Sequence, residues 1–128
     1  MNDTAFTRPG MMTSAGKHAS LFSALPQSVA ELTAVGHGLL IHEFIAPNYG
    51  VELSEEDRAS VHDRRLENTL ARIMARDPRP LDVPREPAAR TPVNCRHFTV
   101  LMVAMLRARG LPARARCGFG TYFGTDYY

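Results

Sequence analysis

Apolar residues fall into three stretches at helical spacing, and an alternating run follows the last of them. Between residues 26 and 45, Val29, Leu32, Leu39 and Leu40 make a helical stripe, with Glu31 and Glu43 among the polar positions. Gly36 and Gly38 weaken that helix, and Pro47, Asn48 and Gly50 end it. The stretch 54–76 has the clearest amphipathic pattern. Leu66, Leu70, Ile73 and Met74 form its apolar side. Ser54 is its expected N-cap and Asp57, three residues on, completes a capping box; Glu55 and Glu56 suit the positive end of the dipole, Arg72 and Arg76 the negative end.

The stretch 94–110 predicts a third helix, apolar nearly all round and therefore interior. Phe98, Leu101, Met102, Met105 and Leu106 share one face, while Val100, Val103 and Ala104 fill much of the rest. Gly110 is placed to take the left-handed C-terminal conformation, and Pro112 stops continuation. From Ala113 to Phe123 small or apolar residues alternate with Arg114, Arg116, Gly118, Gly120 and Tyr122, a period of two that predicts a strand over 113–123. Pro78, Pro80, Pro84, Pro87 and Pro92 make the stretch before the third helix an extended connector, unsuited to helix and to most sheet pairing. Residues 1–25 show weak periodicity and read as a loose tail.

With 128 residues, 45% of them hydrophobic, the chain suffices for one α+β domain. Its net charge of +2 is too small to point to nucleic acid. Residues 1–76 hold 7 basic and 9 acidic side chains, residues 77–128 hold 8 and 4. Arg58, Arg64, Arg65, Arg72 and Arg76 are interleaved with acids, as on a solvated face, which ranks a helical nucleic-acid binder last. No apolar run approaches the roughly 20 residues of a membrane span, and the N-terminus has no secretory pattern. Two cysteines, Cys95 and Cys117, make neither a disulfide scaffold nor a zinc cluster; they predict reduced thiols in the cytoplasm.

Cys95 is the candidate nucleophile. It opens a buried helix, where free amides favour a thiolate and could hold an oxyanion. Helical spacing places it on the face of Phe98 and Met102, so its sulfur is expected to look along the core side. The competing reading is a small packing residue, which is also the reading for Cys117 inside the alternating run. Asn94 is the expected cap of this helix and the candidate donor beside an oxyanion. His97 lies about 200° around the axis from Cys95, poor geometry for a base. His18, His37, His42 and His62 lie upstream, and spacing selects none of them. Asp126 reads as a turn cap.

The block "NCRHFTVLMVAMLRARGLPARARCGF" resembles the transglutaminase-like superfamily, relatives of the papain-like thiol enzymes. A cysteine opens a buried helix, the helix ends in Arg107, Ala108, Arg109, Gly110, Leu111, Pro112, Ala113 and Arg114, and a strand follows. The resemblance implies that residues 26–128 form a partial domain of this kind. It also implies that Cys95 forms a thioester with a carboxamide or peptide carbonyl of a peptide or protein, passed to an amine or to water with no metal or other cofactor. His97 stands where relatives often carry an acid. Relatives place the histidine and the Asp or Asn on later strands, whereas this sequence has no histidine after His97, so the expected chain is the nucleophile half with an open sheet edge that favours self-association. A non-catalytic peptide- or protein-interaction module on the same scaffold is the rival.

Overall fold

The computed structural model of the protein describes residues 4–120. Five α-helices and two short strands make up an α+β arrangement: α1 (Thr4–Thr7), α2 (Val29–Leu39), β1 (Leu40–His42), α3 (Glu55–Arg58), α4 (Leu66–Arg76), β2 (Thr91–Val93) and α5 (Cys95–Ala108), with 3-10 turns between them. The core is shared by α2, α4 and α5. Leu32, Leu39, Leu70, Ile73, Leu101 and Met105 are among its buried side chains.

The expected helix over 26–45 is shorter. Ser28 caps it by accepting from the amide of Glu31, and at Leu40 the backbone turns extended. The amide of Arg85 donates to the carbonyl of Gly38 at 2.9 Å. A Cβ on Gly38 would stand 3.1 Å from Pro84, so only glycine lets the connector lie this close. The next three residues, Leu40, Ile41 and His42, instead pair in parallel with Thr91, Pro92 and Val93. Pro92 thus sits in a strand, which the connector reading disfavoured. Its carbonyl accepts from the Ser60 hydroxyl, on the side of β2 away from β1. The N–H that proline lacks would point to that same side, so the β1 ladder loses nothing.

The expected continuous helix over 54–76 is broken. The capping box of Ser54 and Asp57 forms, but α3 passes into a 3-10 turn over Ala59–His62 and the chain is extended at Asp63. Tertiary bonds fix the break: Ser60 bonds Pro92, and the carbonyl of Asp63 receives Arg96 and His97 from α5. Helix α4 then buries Leu66, Leu70 and Ile73 as its pattern requires.

Residues 4–25 are not a loose tail. Ala15, Phe22 and Leu25 are buried in the core, and the amide of Leu66 donates to Met12 at 2.9 Å. Arg107 and Arg109 near the end of α5 bond the carbonyls of Arg8 and Phe22. Weak periodicity concealed this segment because its ties are made to another part of the chain.

Helix α5 ends as expected. Gly110 has φ of 77°, its amide donates to Arg107 and that of Leu111 to Leu106, the pair of bonds of a Schellman ending. Arg107 then holds the carbonyl of Ala113 at 2.9 Å. The expected strand over 113–123 is not formed through residue 120; the rest of it lies outside the described residues. Alternation supplies a face but does not choose a strand to pair with, and the sheet among the described residues consists of β1 and β2. Cys117, expected in the core, is exposed.

The connector is held by Arg85, which is 2% exposed. Its two Nη atoms donate to four carbonyls, those of Pro80 and Val83 and those of Asp77 and Arg79, at 2.7–2.8 Å. Burial pushes its guanidinium pKa down, and the Asp77 carboxylate 3.8 Å from Nε opposes this. Asp77 itself is held down to about 2 by hydrogen bonds from Arg79. Among the described residues no helix is long and apolar enough to cross a membrane.

Arg85→Ala should destabilise the fold by about 3 kcal/mol or more in urea unfolding, since it strands buried carbonyls. Arg85→Lys should recover little, because an ammonium lacks the planar fork that reaches four acceptors.

Candidate active site

Strand β2 delivers the chain to Asn94, the extended residue that caps α5. Asn94 Oδ1 accepts from the amide of Arg96 at 3.0 Å, and the Asn94 amide donates to His97 Nδ1 at 3.3 Å. His97 Nε2 lies 2.8 Å from the carbonyl of Asp63. A carbonyl only accepts, so Nε2 carries a proton there, while Nδ1 also lies 3.0 Å from Asn94 Oδ1. Arg96 Nη2 also reaches the carbonyls of Val61 and Asp63 at 3.3 and 3.2 Å. The carboxylate of Asp63 pairs with Arg72. The first turn of α5 is therefore clamped to the break between α3 and α4. His97 is buried and points into this clamp, in keeping with its unsuitability as a base for Cys95.

Cys95 is the first residue of α5 and is exposed, so its sulfur is not turned away from water as expected. It does share its side of the helix with Phe98, Met102 and Met105, and all four line one cleft of about 430 Å³. The opposite wall comes from α2, β1 and the turn after it, through His37, Ile41, His42, Ile45 and Tyr49. Arg90, just before β2, completes the lining.

The fold thus selects two of the four upstream histidines. The ring of His37 is 5.8 Å from that of Phe98, one helical turn after Cys95. His42 Nδ1 accepts from the amide of Phe44 at 3.1 Å, which leaves the proton of a neutral ring on Nε2, a donor. His18 and His62 do not line this cleft. Asp126 lies outside the described residues. Spacing could not identify His37 and His42, because the β1–β2 pairing and the packing of α2 on α5 bring them to Cys95. Together these groups offer a thiol at the N-terminal end of a helix, one imidazole donor, a second imidazole without a fixed role, and apolar walls.

Burial, with the charge of Arg96, lowers the pKa of His97 from 6.5, while its bond to the Asp63 carbonyl opposes the shift. The unfolded chain binds this proton more readily than the folded one, so the ring's stabilising contribution is full above pH 6.5 and declines as pH falls below it. The melting temperature of the protein should drop between pH 7 and pH 5, and in His97→Gln that part of the pH dependence should be absent from scans at the two pH values.

A family model for the transglutaminase-like superfamily matches residues 52–125. No curated protein and no solved structure matches the chain. The matched span includes the α3 cap, the Arg85 strap, Cys95 with its cleft-lining helix and the Gly110 turn. By this match over more than half its length, the chain belongs to the transglutaminase-like superfamily.

Proposed function

We propose that the domain performs thiol acyl transfer with Cys95 as nucleophile and with a peptide or protein carboxamide as acyl donor. The sulfur attacks the carbonyl carbon, the C–N bond breaks, the thiol proton leaves with the amine, and a thioester remains. An amine or water then attacks the thioester and releases Cys95. The oxyanion donors in this reading are the Cys95 amide and the side-chain NH2 of Asn94, since the Arg96 and His97 amides already donate to Asn94. His42 Nε2 is a further donor on the cleft wall. Free thiols at Cys95 and Cys117 suit a reducing compartment such as the cytoplasm.

The observation that carries this reading is the exposed sulfur at the start of a 14-residue helix, facing an apolar cleft with two imidazoles. Cys117 is an internal control, being exposed outside any helix. With iodoacetamide at pH 6, read by peptide mass spectrometry, Cys95 should alkylate about tenfold faster than Cys117. A rate equal to that of a model thiol would remove the nucleophile and favour the peptide-interaction module.

A further inference from the structure

The cleft beside Cys95 holds one permanent positive charge and, among its described lining residues, no carboxylate. That charge is Arg90. Its Nε donates to the carbonyl of Arg85 at 3.0 Å, and its guanidinium carbon lies 5.9 Å from the centre of the Tyr49 ring. Both supports fix the stem and one edge of the fork and leave the two Nη groups for another acceptor. Arg72, Arg76, Arg79 and Arg85 each meet an aspartate, whereas Arg90 meets no acid among the described residues. It is also half-buried, so solvent screens it less than a surface arginine. A guanidinium held by a carbonyl of the rigid strap is preorganised for a planar anion.

We infer that Arg90 is a specificity-determining residue that anchors a carboxylate of the acyl donor, so that the preferred substrate carries an acidic group near the carboxamide presented to Cys95. The word donor rests on the acyl-transfer reading above; the anion subsite rests on Arg90 alone. Strand β2 and Asn94 separate Arg90 from Cys95, which at strand rise is roughly 16 Å between backbones. The arginine side chain and the substrate's own atoms share that gap, so a carboxylate directly on the reacting group would be too close. The carboxylate comes either from an acidic side chain or from a free C-terminus, and Arg90 has the same chemistry for both.

Maleimides test this without requiring turnover. The full chain is labelled with N-ethylmaleimide, with 6-maleimidohexanoic acid and with the methyl ester of that acid, and the rate at each cysteine is read by peptide mass spectrometry. At Cys95 the acid should react about three- to fivefold faster than its ester, while Cys117 should show no such preference. Arg90→Gln should abolish the preference, read as the acid-to-ester rate ratio at Cys95 so that any change in the intrinsic reactivity of the thiol cancels. Arg90→Lys should keep part of it, and 0.5 M salt should reduce it. Equal rates for acid and ester at Cys95, or a preference that survives Arg90→Gln with circular dichroism unchanged, would overturn the inference. If N-ethylmaleimide finds Cys95 no faster than a model thiol, the nucleophile reading fails while the acid-to-ester ratio still reports on Arg90.

Two glutamine-containing tetrapeptides separate the sources. One carries an aspartate and an amidated end; the other has a free C-terminus and no acidic side chain. Slowing of N-ethylmaleimide at Cys95 by one of them, lost in Arg90→Gln, supports the anchor and identifies its source. Slowing by neither at millimolar concentration counts against it.

Discussion

A guanidinium sealed among four carbonyls holds the segment that leads to the candidate site. Residues 77–90 are rich in proline and therefore poor in amide donors, and the backbone bonds within them are short turns, Val83 to Pro80, Ala89 to Glu86 and Arg90 to Pro87. Arg85 supplies the missing donors from one side chain. Its own amide ties the strap to Gly38 at the end of α2, and its carbonyl steadies Arg90. The strap then enters β2 at a fixed height beside β1, which determines where Asn94 can begin a helix. Without this constraint the cysteine would sit at the end of a mobile linker.

A second set of bonds orients the helix. Asp63 gives its carbonyl to Arg96 and His97 and its carboxylate to Arg72. The break between α3 and α4 is therefore functional in position, because it presents a free carbonyl to the first turn of α5. Two neighbouring residues of that turn have opposite fates. His97 is buried in the clamp, and Cys95 opens to the cleft. The ring of His97 keeps the helix start in place through the carbonyl of Asp63.

The cleft itself combines two chemistries. Phe98, Met102 and Met105 give it an adaptable apolar wall. His37, His42 and Arg90 place polar groups at intervals along it. Charge thus lies at one end of the cleft and apolar shape in its middle, and Cys95 stands at the N-terminus of α5.

Local chemistry in the sequence determined the caps and the place of Cys95 at a helix start. Ser54 with Asp57, Asn94 before Cys95, and Gly110 before Pro112 are short-range patterns whose bonds close within a few residues, so they form wherever the chain goes. The apolar faces of α4 and α5 were legible for the same reason, and so was the resemblance of the Cys95 block to its family. Long-range bonding decided the rest. Pairing of β1 with β2 shortened the first long helix, Ser60 and Asp63 split the second, and ties from α4 and α5 ordered residues 4–25. The strand read from alternation over 113–123 does not form among its described residues, and Cys117 is exposed. The grouping of His37, His42 and Arg90 around Cys95 could not be read from spacing, because their nearness depends on two elements packing face to face, and residues far apart in the chain carry no periodic sign of where they will meet.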